Sequence, residues 1–347
     1  MKILIIQRKH MGDVLVSSTI LQQLKKKFPD SEINFLVDNK HQQILFGNPL
    51  VKNIILWNEK EISKMILMAW RIRRDKYDII IDSSSKVNSG IITLFSNAKK
   101  RIGFFKKYTQ VFYNSPVKRK KETTSKNTTL SIEHRLQLLE PLNISFQEVF
   151  PKTYILDEEL LKAKQILSRN GLSLRDNLIM ISTFGSKEEK TYPIEYIAKI
   201  LDYIITFQNE AKLLCNYLPH QQELFSQVYD LVLPKTRKAI AANFDTRNLR
   251  EFAAVTSLCK CLIGNEGGAT NLSKSLGIPT FSIFAPHVSI SDWGWTSQPD
   301  SDMFLHLSDF VPNSFNYKDF KPEFLEKHLN IFLEKAILEK KTVANYG

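Results

Sequence analysis

Lys2–Gln7 (KILIIQ) leads into the turn Arg8-Lys9-His10-Met11-Gly12-Asp13, and then into Val14–Phe28, where Val14, Ile20, Leu21 and Leu24 fall at helical spacing. An apolar run, a turn and an amphipathic helix that Pro29-Asp30 stops make one strand-to-helix unit. Gly12 offers the freedom a tight turn needs. Further apolar runs lie at Ile33–Val37, Val51–Trp57 and Tyr77–Ile81, with a helix expected over 61–76. Strands that are apolar throughout, separated by helices, belong to a parallel sheet covered on both faces.

Beyond them, residues 106–129 are polar and without period and read as a mobile loop, and 131–142 reads as a helix. Pro151-Lys152 begins a linker, and 156–170 is a helix that Gly171 ends. The alternation then restarts. Strands are expected at Leu178–Ser182, Ala211–Cys215, Ala239–Ala241, Cys261–Gly264 and Thr280–Phe284, with helices at 193–207, 221–232, 249–257 and 270–276. A last helix covers 323–339. The shared βα logic predicts an α/β chain of two facing Rossmann-like domains with a cleft between them: 1–152, 153–310, and a C-terminal helical segment over 311–347.

The 347 residues are 43% hydrophobic and 24% charged, which excludes disordered, collagen-like and coiled-coil chains. No apolar run approaches the roughly 18 residues of a membrane span, and Ile3–Ile6 is too short for a secretory signal. Cys259 and Cys261 alternate with Leu258 and Leu262 like inward residues of a strand, and no Cys/His set has zinc spacing, so buried free thiols in a reducing cytoplasm are expected. The net charge is +12, and it is uneven: residues 1–150 carry 26 Lys+Arg against 13 Asp+Glu, a net +13, leaving −1 for the remainder. Between Lys99 and Lys126 ten basic residues meet one acid, Glu122, which points to an anionic partner for that half.

Three stretches carry chemistry. At the first turn, Asp13 has two roles open to it: a cap for the first helix, or a general base facing a ligand at the carboxyl end of strand one. His10 is either a second candidate base or a surface histidine. The dinucleotide pattern Gly-x-Gly-x-x-Gly is absent, against a nicotinamide dehydrogenase. The second stretch runs from Ser182 to Pro193. Its Thr183, Gly185, Ser186, Lys187 and Lys190 offer hydroxyls, amides and charge to a phosphate, or else form a solvated loop. In the third, Gly264–Asn271, Gly267-Gly268 open a helix whose amides suit a pyrophosphate, and Glu266 suits sugar hydroxyls. Asp300-Ser301-Asp302 matches the metal-chelating Asp-x-Asp of some sugar transferases, but it reads as a solvated loop, and no metal site is expected.

In order and spacing these stretches resemble glycosyltransferase family 9, the bacterial lipopolysaccharide heptosyltransferases. Residues 3–37 are similar to the family's opening strand, Gly-Asp turn and helix. Lys190-Thr191-Tyr192-Pro193 resembles its Lys-x-Trp-Pro, and Ile263–Gly268 through Gly277-Ile278-Pro279 resembles its Asp-Thr-Gly-x-x-His and Gly-x-Pro, with a loosened Phe-x-x-Pro at Phe281–Pro286. Glu266, Gly267 and Asn271 stand where the family has Asp, Thr and His. The resemblance implies a GT-B fold and an inverting, metal-independent transferase with no cofactor. It implies an ADP-heptose donor and a lipopolysaccharide-core acceptor, with Asp13 as base, Lys190 on the donor phosphates and Glu223 near the nucleoside.

The expected function is therefore sugar transfer from a nucleotide sugar to an anionic cell-envelope glycolipid. The donor would meet Thr183, Gly185, Ser186, Lys187, Glu223, Glu266, Gly267, Gly268 and Asn271, and the acceptor His10, Lys118, Arg119, Lys120 and Lys121. The location would be cytoplasmic, with peripheral contact at the inner membrane and no nucleic-acid partner. Two alternatives stand: the same fold with another nucleotide-sugar donor, and a basic nucleic-acid-binding protein, which lacks a recognised motif.

Overall fold

The structure, a computed structural model, describes residues 1–57, 62–241 and 244–339. The chain divides into two units, Met1–Tyr154 and Ile155–Gly347. In the first, strands β1 (Lys2–Ile6), β2 (Glu32–Val37), β3 (Asn53–Leu56), β4 (Ile79–Asp82), β5 (Lys100–Phe104) and β6 (Ser115–Val117) form one parallel sheet in the order β3-β2-β1-β4-β5-β6. Ile6 lies opposite Leu36 on one side and Asp82 on the other. Ile3–Ile6, Ile33, Phe35–Val37 and Ile79–Ile81 are all buried, as a sheet covered on both faces requires.

The second unit holds β7 (Asn177–Ser182), β8 (Ala211–Asn216), β9 (Cys261–Asn265), β10 (Thr280–Phe284) and β11 (Met303–His306), parallel in the order β11-β10-β9-β7-β8. Gly264 of β9 sits opposite Ser182 of β7 with a φ of +144°, and a Cβ there would lie 2.2 Å from the Ser182 carbonyl. Only glycine lets the two strands meet there. The segment set apart as 311–347 belongs to this unit. Leu325, Leu329, Phe332 and Leu333 fill the same core as Ile197, Leu201 and Ile204, because the helix Glu323–Leu333 needs a surface for its apolar stripe. Residues 340–347, like Glu61 of the helix expected over 61–76, lie outside the described residues.

Several expectations change. Val14–Phe28 is two helices, Met11–Ser17 and Thr19–Lys27, divided where Ser18 Oγ donates to the Leu15 carbonyl (2.6 Å) and Thr19 Oγ1 to that of Val16 (2.7 Å). Gly12 is helical, and the left-handed turn falls instead on His10, at φ 66°. Residues 106–129 are no loose loop. Ser115–Val117 pairs with β5, and the buried Glu133 gathers the Thr124 and Ser125 amides, the Thr128 hydroxyl and the Lys120 ammonium. At 239–241 a helix, Pro234–Ala239, replaces the expected strand and leaves one bridge from Ile240 to Leu213. The helix Val87–Phe95 and β5 are additional elements. Cys215, Cys259 and Cys261 are buried thiols, but Cys259 precedes β9 rather than lying on it.

Where β4 ends, Asp82 is fully buried, accepting hydrogen bonds from the Ser85 amide (2.9 Å) and the Tyr113 hydroxyl (2.8 Å). Tyr113 reaches it over Gly103, where a Cβ would strike the ring at 2.5 Å. Burial pushes the Asp82 carboxyl up to about 6, against these hydrogen bonds. The folded protein thus holds a proton that an unfolded aspartate releases near 3.8. That contribution to stability is whole below pH 3.8 and is lost as pH rises through about 6. Relative to Asp82→Asn, the wild type should lose on the order of 2–3 kcal/mol across this window. Denaturant melts from pH 4 to 7 check it; parallel pH profiles for the two proteins would show that Asp82 does not hold the proton.

Candidate active site

Both sheets reverse their strand order beside their first strand, between β1 and β4 and between β7 and β9. Ligands of open parallel sheets bind outside the carboxyl ends at such points, because the flanking crossovers leave on opposite faces. Most of the residues read as functional lie at these two places.

In the first unit, a pocket of about 460 Å³ opens at the ends of β1 and β4. Asp13 lines it as the third residue of its helix, which has no side-chain cap. Its Oδ1 accepts a hydrogen bond from Arg135 Nη2 at 2.5 Å, so the carboxylate is held by a buried guanidinium and does not cap the helix. Arg135 rides on the helix Leu130–Gln137, and Asp13 counteracts the burial that lowers its pKa. His10 and Arg119 also line the pocket, with the Arg119 guanidinium 4.1 Å from the centre of the Phe104 ring. Arg8, over the ring of Trp57 at 3.9 Å, contributes as well, as do Lys9, Lys86 and Lys106. Six cations thus surround one carboxylate, an arrangement that attracts an anionic ligand and places one proton acceptor beside it. Lys118 and Lys121 are exposed outside the pocket, and Lys120 is occupied by Glu133.

In the second unit, Asn265 closes β9 and clamps the loop after β7. Its Oδ1 accepts from the Tyr192 amide (2.7 Å), and its Nδ2 donates to the Thr183 carbonyl (2.8 Å). Thr183 is buried beside the Cys215 thiol and offers no free face. Gly185 packs against the Lys190 backbone, where a Cβ would sit 2.4 Å from the carbonyl oxygen, and its amide donates to Thr191 Oγ1 (3.1 Å). Ser186 and Lys187 are exposed, and Lys187 pairs with Glu189 at 3.4 Å.

Glu266 is buried, and its Oε1 accepts from Asn271 Nδ2 at 3.2 Å. Burial raises its pKa, and the charges of Lys274 and Lys190 oppose the rise, so Lys190 and Glu266 are electrostatic neighbours. Gly267 and Gly268 begin the helix Gly268–Ser275; the Gly267 amide donates to Thr270 Oγ1 (3.0 Å), and Asn271 Nδ2 also donates to the Gly267 carbonyl (2.9 Å). Beneath them Lys274 is buried, its Nζ 2.9 Å from the Trp293 carbonyl and 4.3 Å from the centre of the Trp295 ring. Burial lowers its pKa, while Asp302 and Glu266 act the other way.

Glu223 is exposed in the first turn of the helix Gln222–Leu231. Asp302 departs from the solvated-loop expectation: its carboxylate accepts from the Thr280 amide (2.9 Å) and Thr296 Oγ1 (2.5 Å), fastening the loop to β10. Among the described residues no group of three or more His, Cys, Asp or Glu is placed to hold a metal ion. Sequence reasoning missed Arg8, Lys106 and Arg135 at the first site and Asn265 and Lys274 at the second. Arg135 lies 122 residues from Asp13, beyond any local pattern. Lys274 carried one signal, a cation inside an otherwise core-facing helix segment.

The model of glycosyltransferase family 9 (heptosyltransferase) matches residues 66–298, roughly two thirds of the chain. Lipopolysaccharide heptosyltransferase 1 of Campylobacter coli is 27% identical over 296 residues, which is 82% of this chain and 84% of that protein. Among solved structures, a family 9 glycosyl transferase from Veillonella parvula superposes with a TM-score of 0.79 at 20% identity, covering 97% of each chain. The E. coli ADP-heptose lps heptosyltransferase II superposes with a TM-score of 0.76 at 15% identity, covering 96% of this chain and 99% of that one. These likenesses establish the GT-B fold of two Rossmann-like domains, and with the match over 66–298 the chain belongs to glycosyltransferase family 9 (heptosyltransferase).

Proposed function

We propose that this protein transfers heptose from ADP-heptose to an anionic lipopolysaccharide-core acceptor, by a single displacement that inverts the anomeric centre. The observation that carries the reading is the neighbourhood of Lys190, Glu266 and the Gly267-Gly268 helix start at the β7/β9 reversal, in a chain of this family. In this reading Glu266 and Asn271 hold sugar hydroxyls, while Lys190 and the helix amides meet the diphosphate. The names of the relatives support the donor and the acceptor class. Thr183 and Gly185 shape the donor loop, Ser186 and Lys187 border it, and Glu223 lies toward the nucleoside. On the acceptor side His10 and Arg119 share the pocket with Asp13, and Lys118 and Lys121 extend its positive field, with Lys120 bracing the segment through Glu133.

Asp13 accepts the proton of the attacking hydroxyl as its oxygen bonds to the anomeric carbon and the bond to the diphosphate breaks. Charge grows on the departing oxygen, and Lys190 with the amides at Gly268 stabilises it without reorganising. We further propose that this protein charge serves in place of a metal ion, and that the enzyme works in the cytoplasm against the inner membrane. No helix among the described residues is long and apolar enough to cross a membrane.

A second reading keeps the fold and changes the donor. Asn271 Nδ2 is engaged by Glu266 and the Gly267 carbonyl, and Gly267 has no hydroxyl, so this chain lacks two groups its family brings to that place. Thermal-shift titration with a panel of nucleotide sugars separates the two. ADP-heptose should stabilise the protein most, and Lys190→Ala should weaken its binding at least about tenfold. A UDP- or GDP-sugar preferred over ADP-heptose selects the second reading; unchanged affinity in the variant removes Lys190 from the site.

Asp13→Asn should slow transfer by roughly 10²–10⁴-fold while donor affinity stays within a few-fold of wild type. Initial rates and melting curves measured together check this, and a rate near wild type would leave Asp13 a structural partner of Arg135. Transfer should also persist in excess EDTA, since a cation and helix amides can carry the diphosphate charge. A rate that collapses with chelator and returns with Mg²⁺ overturns the metal-independent step.

A further inference from the structure

The helix Ile62–Arg74 (ISKMILMAWRIRR) contains no acid and is apolar over most of its circumference. Met65, Ala69 and Ile72 pack inward with Trp57, Tyr77 and Ile92. A surface helix ordinarily turns polar residues outward. Here Ile66, Leu67 and Trp70 face outward instead, 49%, 67% and 66% exposed. The helix Val87–Phe95 adds Phe95, 57% exposed, and Arg73 Nη1 donates to the Phe95 carbonyl at 3.2 Å. Between the two helices lies an apolar hollow of about 250 Å³ lined by Ile66, Ala69, Trp70, Arg73, Ile91 and Phe95. Arg71, Arg73 and Arg74, all exposed, complete the last turn of the first helix.

Single exposed apolar residues are ordinary, whereas four large ones close together, three of them lining a hollow, mark a contact surface. Its charge indicates what covers it. Three arginines without an acid on their helix, in the half of the chain that holds the whole positive excess, complement a negative surface. An aromatic and aliphatic face beside arginines whose stems reach outward is the composition that settles at a headgroup boundary. We propose that this face docks the protein on an anionic bilayer. Ile66, Leu67, Trp70 and Phe95 enter the headgroup region, while Arg71, Arg73 and Arg74 meet lipid phosphates. The inference rests on the reading that the acceptor is a membrane-borne glycolipid, and names the surface that brings the enzyme to it.

The test uses the full chain and sedimentation with vesicles of phosphatidylcholine alone or mixed with phosphatidylglycerol. Wild type should pellet with the mixed vesicles and be released by salt. The double variant Leu67→Glu/Trp70→Glu should lower the vesicle partition coefficient at least about tenfold. Arg71→Gln/Arg74→Gln should lower it less and flatten its salt dependence. Both variants should melt like wild type, since the altered side chains are exposed, and both should turn over a delipidated, water-soluble acceptor at the wild-type rate. Wild type that stays in the supernatant overturns the proposal, as does a Leu67→Glu/Trp70→Glu protein that pellets like wild type. Dimerisation that the same variant abolishes, without vesicle binding, gives the face to a second copy and overturns it too. Failure of wild type to use the soluble acceptor counts against the transferase reading alone, because vesicle binding is measured without turnover.

Discussion

A parallel strand can be joined to its neighbour only by a crossover, and in proteins that crossover is right-handed. When successive crossovers proceed outward in both directions from one strand, the connecting helices leave on opposite faces and a crevice opens at its carboxyl end. β1 and β7 are those strands here. The placement of Asp13 beside the end of β4, and of the Lys190 loop beside Glu266, follows from strand order before any side-chain contact is considered. Gly264 shows how tightly this is enforced, since β9 meets β7 at a point with no room for a Cβ.

Around both crevices the chain buries charge, and several of the buried groups are paired. Asp13 has Arg135, Glu133 has Lys120 with two amides and a hydroxyl, and Lys274 lies near Asp302 and Glu266. Burying an ion is costly unless partners replace its water, so such pairs hold one geometry more than they stabilise the fold. Positioned groups that need not reorganise are what catalysis at a developing charge requires. The same logic explains why a segment dense in lysines, arginines and threonines is ordered: Glu133 collects its amides and one ammonium from within.

The outline of the fold was legible because its signals are local. Continuous apolar runs read correctly as parallel strands at β1, β2, β4, β7 and β10, and Gly171 ends its helix at φ +66° as expected. Failures occurred where a local rule met a competing contact. The hydroxyls of Ser18 and Thr19 take carbonyls from the preceding turn and divide one helix into two. His10 takes the left-handed conformation that Gly12 was expected to supply. β5 and β6 escaped notice because Lys100–Phe104 and Ser115–Val117 are short and mixed in character, and they exist as strands through pairing with β4 and with each other.

The sequence by itself determined the alternation of strands and helices, the basic excess of the first half, and the three stretches whose residues suit a sugar-transfer site, since each is written in neighbouring residues. Only the tertiary structure decided what those residues touch. It bound Asp13 to Arg135 instead of to a helix end, committed Lys120 to Glu133, turned Asp302 from part of a solvated loop into a fastening for β10, and brought Lys274 near Glu266. It also left Ile66, Leu67 and Trp70 on the outside of their helix, although nothing in an apolar run says which of its faces the core will claim. The reason is common to all of these. A side chain's role depends on which charges, donors and surfaces share its space, and those neighbours come from chain segments tens to more than a hundred residues away.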